Sequence, residues 1–358
     1  MSKVKNYCLA VSSDVFRWTV DFAPPTVLQR MLVRGRVFAR MSPDEKHELV
    51  EKFQSIGYCC GFCGDGANDC GALKAADVGI SLSETEASVA APFTSRVFNI
   101  SCVPEVIREG RAALVTSFSC FRYMSLYSAI QFTTISFLYA SATTLGNFQF
   151  LFIDIVLILP IAVFMSYSAP YPVLSRNRPS ANLMSRKVLV PLLGHMAICI
   201  GIQAVAFIVV RMQPWFIPPV LKHHSSNVHN SESTALFLVS CFEYIFAGVV
   251  LNAGPPFREP ASNNWYLIAT VCIGLLICTH MVLGPVGWLK HLMELTSIST
   301  GFSLALLGLG ALYFALAWIC ETVVFKRLSQ LVGHAAERIT GQSKQRKKYK
   351  LIAEQMRV

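Results

Sequence analysis

Residues 64–80 read GDGANDCGALKAADVGI, a glycine-bounded turn with two carboxylates between two short apolar runs. The run before it, YCCGFC at 58–63, is typical of a buried parallel strand. The residues after the turn predict a helix to Ala76 and then a strand at 78–82. Strands that alternate with helices indicate a parallel sheet whose functional groups lie at the carboxyl ends of the strands. Asp65 is expected at such an end.

The two carboxylates of this turn suggest a site for a hard cation. Asp65 and Asp69 lie four residues apart, and the flanking glycines let the backbone bend and approach a ligand closely. A few oxygen ligands suit Mg²⁺, which keeps water molecules and shares phosphate oxygens. Asn68 can hydrogen-bond a phosphoryl group or a carboxylate, and Lys46 can neutralise a phosphate. An Asx-rich surface turn is the alternative that composition alone leaves open.

The residues upstream predict a strand at 35–41 followed by a capped helix. Ser42 can accept from the amide of Glu45 while the Glu45 side chain reaches back, and Pro43 suits the first turn. The helix is expected to end near Ile56, with Gly57 as its stop. A further strand is expected near 97–100.

The composition indicates a membrane protein. Of 358 residues, 53% are hydrophobic and only 15% are charged, with a mean hydropathy of +0.48, whereas soluble domains carry about a quarter charged residues. A membrane helix needs about 20 mostly apolar residues. Six such segments are predicted, at about 119–141, 148–168, 188–210, 234–254, 265–285 and 302–325.

The positive charge is consistent with topology rather than with nucleic-acid binding. The net charge is +10, and residues 326–358 alone hold nine Lys and Arg against two Glu. No basic face of a folded module is visible, so nucleic acid is excluded as a partner. The first hundred residues hold no apolar leader, and the predicted loop 169–187 is rich in Arg and Lys. Both termini are therefore expected in the cytosol.

Polar residues within the predicted spans are candidates for a transport pathway. Asp154 lies inside the second span, and Tyr127 and Gln131 share one face of the first at i, i+4 spacing. A polycation needs a carboxylate, and aromatic faces add cation–π attraction. Tyr127 and Gln131 could instead bond neighbouring helices. Glu243, in the fourth span, either makes a structural hydrogen bond to another helix or contacts a proton or substrate.

Two other charged residues and one proline in the spans have simpler interpretations. Glu321 is expected to reach the cytosolic interface, and Arg122 is expected at an interface as well. Pro160 could interrupt the second helix or simply kink it.

Longer segments resemble one transporter family. Residues 64–80 closely resemble the hinge signature of P-type ATPases, whose phosphorylation domain has a haloacid-dehalogenase-like, Rossmannoid fold. The resemblance extends through FARMSPDEKHELVEKFQSIGY (38–58) and SLSETEASVAAPFTS (81–95). The first membrane helix and IDIVLILP (153–160) resemble subfamily B of the type-five branch, the polyamine and cation transporters of endolysosomal membranes.

This resemblance implies an ATP-driven pump that uses Mg²⁺. Asp65 would hold Mg²⁺ and Asp69 would support that site. Lys46 would contact the phosphoryl group and Asn68 would help to position it. In the family the helices that correspond to the first two spans line the substrate path, and Gln131 and Asp154 match positions implicated there.

The resemblance also implies a domain organisation. Residues 1–112 would be the C-terminal part of the cytosolic phosphorylation domain with its stalk, an α/β unit. Residues 113–325 would be an all-α membrane domain of six helices in contact with lipid, and residues 326–358 a basic cytosolic tail.

The sequence departs from the family in ways that shape its expected role. The chain contains no Asp-Lys-Thr-Gly acceptor motif, and no nucleotide-binding or actuator domain fits within it. It is expected to be about the C-terminal third of a pump, unable to pump alone. The alternatives are a non-catalytic isoform that regulates or competes with a full-length pump, and a secondary transporter with an accessory domain. The last would show an internal repeat of spans, and none is found.

Two further clusters are interpreted as structural. Cys60 and Cys63 have redox or zinc spacing but no second pair, so they are expected to be buried apolar thiols. His223, His224 and His229 could bind a metal but are expected on a solvated outer loop.

Overall fold

The structure is a computed structural model that describes residues 7–82, 87–219, 228–340 and 347–356. The chain divides into two compact units. The α/β unit comprises residues 1–107 together with 340–358, and the helical unit comprises residues 108–339.

The α/β unit alternates short strands with helices. Its elements are β1 Leu9–Ser12, α1 Ser13–Phe22, α2 Pro25–Arg34, β2 Gly35–Ala39, α3 Pro43–Ser55, β3 Gly61–Gly64, α4 Cys70–Ala75, β4 Val78–Ser81 and β5 Phe93–Thr94. All described strand pairs are parallel, in one sheet of order β1-β2 and one of order β3-β4-β5. The parallel arrangement places Gly64, and therefore the turn that follows, at the carboxyl end of β3.

The predicted start of α3 is confirmed in detail. The Ser42 side chain accepts from the amide of Glu45, and the Glu45 carboxylate accepts from the amide of Ser42 at 2.8 Å. The same carboxylate also accepts from the hydroxyl of Ser13, at the start of α1, at 2.8 Å. The helix ends at Ser55, and Gly57 takes a positive φ of 89°, which glycine adopts without a steric penalty.

The strand expected near 97–100 is wrong. β5 is Phe93–Thr94 instead, with Ile80 opposite Phe93. Beyond β5, side chains satisfy the backbone locally: the Ser95 hydroxyl accepts from the amide of Val97 and Asn99 Oδ1 accepts from the amide of Ser101. Such side-chain bonds compete with ladder pairing, so the apolar residues at 97, 98 and 100 remain exposed.

The last described residues complete the α/β unit. A final helix, Lys348–Gln355, packs against α2. The Tyr349 ring stacks on Tyr58 with centroids 4.1 Å apart, and Ile352 is buried with Leu32 and Ile56 in one apolar cluster. This helix lies in the segment predicted as a basic tail, of which residues 341–346 are outside the described part.

The helical unit contains long apolar helices. In chain order they are α5 Cys102–Tyr139 (which begins in the α/β unit), α6 Asn147–Leu151, a π-helical turn Phe152–Ile158, α7 Leu159–Met165, α8 Arg186–Arg211, α9 Ser231–Val250, α10 Trp265–Leu283, α11 Gly287–Leu292, α12 Thr300–Ile319, a π-helical turn Cys320–Val324 and α13 Phe325–Thr340. The helix after α13, Lys348–Gln355, is α14.

Five helical stretches of the described chain are long and apolar enough to cross a membrane. They are Asn147–Met165, Arg186–Arg211, Ser231–Val250, Trp265–Leu283 and Thr300–Ala335. The first of the six expected spans, 119–141, falls in α5, which is 38 residues long and is not among these five. Arg122 and a series of Ser, Thr, Tyr and Gln residues make this helix more polar than the others.

α9 is the central helix of the helical unit. About nine-tenths of it is buried (89%), whereas the other four candidate spans are between 28% and 39% buried. It packs against α8, α10, α12 and the π-helical turn Phe152–Ile158. Because α9 has almost no outward face, its polar side chains must find partners inside the protein.

The Glu45 contacts predict a pH-dependent contribution to stability. The pKa of Glu45 is lowered, chiefly by the hydrogen bond from the Ser42 amide and also by the Ser13 hydroxyl. Because the pKa is lower in the folded state, the ionised carboxylate stabilises that state at pH values above the unfolded pKa of about 4.3. This stabilisation is lost as the pH falls through the folded pKa. Glu45→Gln is expected to destabilise α3 at neutral pH by about 0.5–2 kcal/mol.

Amide hydrogen exchange of Pro43–Ser55 measures this effect. The gap between Glu45→Gln and the unmodified chain should close as both are brought to acid pH. Glu51→Gln, on the same helix but well exposed, is the matched control and should exchange like the unmodified chain. A gap that persists unchanged in acid would contradict the assignment.

Candidate functional site

The turn after β3 presents one exposed and one buried carboxylate. Asp65 follows Gly64 directly and is exposed, and its carboxylate makes no hydrogen bond or ion pair with any described residue. An accessible carboxylate at the end of a parallel strand fits Mg²⁺, which needs only one or two protein carboxylates and takes its remaining oxygens from water and phosphate. Asp65 could therefore hold the ion.

Asp69 has a different environment. Its side chain is buried against Gly64, where an added Cβ would lie 2.5 Å from Oδ2. Its Oδ1 accepts from Lys46 Nζ at 2.8 Å. Asp69 therefore fixes the ammonium group of Lys46 close to the turn, and glycine at 64 provides the space for this contact.

The other parts of the site come from the neighbouring helices. Lys46 stands in the first turns of α3, just after the cap formed by Ser42 and Glu45. His47 Nδ1 lies 3.0 Å from the carbonyl of Gly71 and joins α3 to α4. Asn68 is exposed in the 3₁₀ turn Ala67–Asp69, so its amide is free to meet a ligand. The structure thus joins Lys46 and Asp69 directly, with Asp65 and Asn68 exposed on the same turn.

Asp154 occupies an unusual segment of the helical unit. It lies in the π-helical turn Phe152–Ile158, where the amide of Leu159 donates to the Asp154 carbonyl five residues earlier. Pro160 follows immediately and has no amide to continue an α-helical ladder. The wider turn before the proline keeps Asn147–Met165 helical throughout, and such turns are frequent at functional sites.

Two neighbouring side chains on α5 adjoin this carboxylate. The Tyr127 hydroxyl donates to Asp154 Oδ1 at 2.7 Å. Gln131 is one turn further along the same face of α5. The Tyr127 ring packs against Tyr244 of α9, with centroids 5.7 Å apart. The carboxylate of Asp154, the phenol of Tyr127 and the amide of Gln131 form a polar group on apolar helices, with Asp154 exposed.

Sequence reasoning missed an ion cluster among three helices. Arg122 donates to both oxygens of Glu321, at 2.8 and 2.9 Å, and His195 Nε2 lies 3.2 Å from Glu321 Oε2. Glu321 is in the π-helical turn after α12 and is partly buried. Its position relative to a membrane interface stays a prediction. The signal in the sequence was the coexistence of opposite charges inside apolar segments, but their pairing needs the tertiary fold.

The structure also gives the surroundings of the cysteines and histidines that were considered as metal ligands. Within the described ranges, no group of three or more His, Cys, Asp or Glu side chains could hold a metal ion. Cys60 and Cys63 are free and partly buried, and burial raises the pKa of both thiols. His229 is exposed, with Nδ1 3.1 Å from the carbonyl of Glu294. His223 and His224 lie outside the described residues.

Known proteins resemble this chain along almost all of its length. It is 50% identical to the vacuolar cation-transporting ATPase YPK9 of Saccharomyces cerevisiae over 358 residues, 98% of this chain and 23% of that relative. It is 42% identical to the human polyamine-transporting ATPase 13A2 over 355 residues, 97% of this chain and 29% of that protein. The human polyamine-transporting ATPase 13A3 is 39% identical over 294 residues, 76% of this chain and 24% of its own length. The chain belongs to the P-type ATPase 13A family.

The similarity concerns one part of these 13A proteins. The chain matches their C-terminal region and spans about a quarter of the length of the curated relatives it matches. No protein-family model matches the chain. Membership in the 13A family agrees with the resemblance seen in the hinge motif and in the membrane segments.

The contact between Gly64 and Asp69 predicts the effect of a single methyl group. Gly64→Ala should displace Asp69, free Lys46 from its ion pair and destabilise the α/β unit by about 1–3 kcal/mol, as overpacking does. The reactivity of the Lys46 amine toward a limiting acylating reagent, measured by mass spectrometry, should rise.

Gly66→Ala is the matched control for this substitution. An added Cβ at Gly66 meets only the Asn68 amide nitrogen, at 4.0 Å, and the backbone there is extended, with φ −121°. Its Lys46 reactivity should equal that of the unmodified chain. Equal reactivity in both variants would show that Gly64 does not hold the ion pair in place.

Proposed function

We propose that the chain forms the C-terminal part of an ATP-driven transporter of polyamines or similar cations. In this proposal it contributes the Mg²⁺-binding hinge motif and part of the substrate pathway. The observation that carries the proposal is the Tyr127–Asp154 hydrogen bond on membrane-type helices. Relatives named as polyamine-transporting ATPases support the substrate class.

The group around Asp154 has the chemistry that a cationic substrate requires. A carboxylate in an apolar setting is unfavourable without a partner, and Tyr127 satisfies only one of its oxygens. An ammonium group can take the remaining acceptor positions while the Gln131 amide orients it through its carbonyl. The ring of Tyr127 offers its face for cation–π attraction. The π-helical turn leaves this carboxylate exposed at a break in the regular helix.

The hinge turn would serve the phosphoryl chemistry of the complete pump. Bound Mg²⁺ would neutralise charge on the phosphoryl group, with Asp65 as its protein ligand and Asp69 in support. Lys46, oriented by Asp69, would contact phosphoryl oxygens, and Asn68 would donate an amide hydrogen to them. ATP would be the phosphoryl donor in the complete pump.

The finer features of fold and location belong to the same proposal. We take the α/β unit as part of a haloacid-dehalogenase-like phosphorylation domain, and residues 119–139 of α5 as a sixth membrane span. The spans would contact lipid through the exposed apolar side chains of α8, α10 and α12. Six spans would place both termini in the cytosol, with the Arg- and Lys-rich loop 169–187 on the same side. Likeness to a vacuolar relative supports an endolysosomal membrane.

Carbodiimide labelling tests the proposed cation site directly. With the chain in lipid nanodiscs, the reagent should modify Asp154, and spermidine should slow this modification several-fold more than NaCl of equal ionic strength. Tyr127→Phe removes the hydroxyl that orients the carboxylate and should weaken the protection. Mass spectrometry of the peptide containing Asp154 measures both effects.

Other carboxylates in the same sample provide the control. Glu259 is in a loop of the helical unit and its carboxylate accepts a hydrogen bond from Asn263, so its labelling should respond equally to spermidine and to salt. Equal responses at Asp154 and Glu259 would count against a polyamine site.

Labelling with ATP tests how the hinge is used. Residues 1–358 contain no Asp-Lys-Thr-Gly motif, and phosphoryl transfer needs a positioned nucleophile. The purified chain alone is therefore expected to take up no acid-stable label from γ-labelled ATP. A complete 13A pump treated in parallel is the positive control, and label on an aspartate of the isolated chain would overturn the proposed division of roles.

A further inference from the structure

Glu243 is an acidic side chain at the centre of the helical unit. It lies on α9 and is fully buried. Its Oε2 is 2.7 Å from Gln203 Nε2 of α8. The Gln203 carbonyl oxygen lies 3.0 Å from the hydroxyl of Thr134, whose hydroxyl is also 3.0 Å from the carbonyl of Ile130 on α5. A chain of hydrogen bonds therefore runs from Glu243 through Gln203 to the backbone of α5.

No charged partner balances this carboxyl group. Its only hydrogen bond in the described chain is the one with Gln203. The titratable groups that interact with it are Cys199, Tyr244 and Tyr313, and none of these supplies a positive charge. Charged groups elsewhere on the surrounding helices have other partners: Arg211 pairs with Glu232, His195 with Glu321, and Asp154 accepts from Tyr127. Arg186 and Lys187 lie exposed at the start of α8, and His280 is exposed near the end of α10. A buried carboxylate without a counter-charge is strongly unfavourable, which favours the protonated acid.

Three buried polar atoms in this region have no partner among the described residues. They are Oε1 of Glu243 and the hydroxyl groups of Tyr123 and Tyr244. Tyr244 adjoins Glu243 in sequence and packs on Tyr127, which in turn donates to Asp154. Unsatisfied buried groups are rare in proteins, and the open Oε1 of Glu243 is an atom that a proton or a water molecule could satisfy.

The amide of Gln203 can serve both protonation states of Glu243. Rotation by half a turn exchanges its oxygen and nitrogen, which have nearly the same shape. In one orientation the NH₂ group donates to an ionised Glu243 and the Thr134 hydroxyl donates to the Gln203 oxygen. In the other, protonated Glu243 donates to the Gln203 oxygen, the NH₂ group donates to Thr134 and Thr134 donates to Ile130. Each state keeps a chain of hydrogen bonds between Glu243 and Thr134, although the first also has a bond from the NH₂ group to the Ile130 carbonyl at 3.4 Å that the second gives up.

We propose that Glu243 is a proton-binding site inside the helical unit, with Gln203 as its two-state partner. On release, the O–H bond of the acid breaks, the proton passes to water and the electron pair stays on the carboxylate. The Gln203 amide then turns to donate to it. The site is separate from the carboxylate of Asp154, so this proposal can be tested independently of the proposed polyamine pathway.

Infrared spectroscopy of the chain in lipid nanodiscs tests this assignment. A protonated carboxylic acid has a C=O stretch distinct from that of a carboxylate. The unmodified chain should show such a band at neutral pH, shifted by D₂O and by ¹³C-labelled glutamate but not by ¹³C-labelled aspartate. The band should be lost in the isosteric variant Glu243→Gln and should decline reversibly as the pH is raised.

Two further variants separate proton binding from a structural role. Gln203→Met removes the amide, so the acid band should move to the position of an acid without a hydrogen bond and persist to higher pH. Glu321→Gln, whose carboxylate pairs with Arg122, should leave the band unchanged. Absence of a glutamate acid band from the unmodified chain, or a band that never responds to pH, would overturn the proposal. The isotope measurement needs no variant to fold.

Discussion

The helical unit depends on the burial of α9. This helix is enclosed by its neighbours, so the polar side chains on it depend on partners within the protein rather than on solvent. Glu232 accepts from Arg211 of α8 at 2.7 Å, Thr234 accepts from the backbone of Thr296, and Glu243 meets Gln203. These contacts fix the register of the surrounding chain at the start of α9 and in its middle. Apolar packing alone would let the helices slide along one another more easily, because one apolar helix surface differs little from another.

The candidate sites of the two units place their carboxylates in different surroundings. In the α/β unit, Lys46 and Asp69 form an ion pair next to an exposed carboxylate, in a turn that water and phosphate can reach. In the helical unit, Asp154 and Glu243 have only neutral partners, a phenol and an amide. Solvated ion pairs can exchange partners with a ligand at low cost, whereas neutral partners in an apolar setting leave a carboxylate ready for a cation or a proton.

The sequence predicted correctly those features that depend on residues close together along the chain. The capping box of Ser42 and Glu45 and the glycine stop at Gly57 depend on neighbours along the chain, and the structure confirms both. The strand near 97–100 failed because Asn99 and its neighbours form side-chain bonds that an apolar pattern does not reveal. The contacts of Lys46 with Asp69, of Arg122 with Glu321 and of Gln203 with Glu243 join residues 23, 199 and 40 positions apart. Residue types indicated that these groups needed partners, but only the tertiary fold selects them.

The docking of α14 has a consequence for the order in which the protein is made. Ile352 shares an apolar cluster with Leu32 and Ile56, yet the ribosome must add nearly three hundred residues between Ile56 and Ile352. At about 5–20 residues per second, translation of that interval takes roughly 15–60 s. During this time the membrane-type helices emerge while the surface around Leu32 and Ile56 is still uncovered. The α/β unit is thus begun before the helical unit and finished after it, and a nascent chain stalled before Tyr349 would present that apolar surface to chaperones.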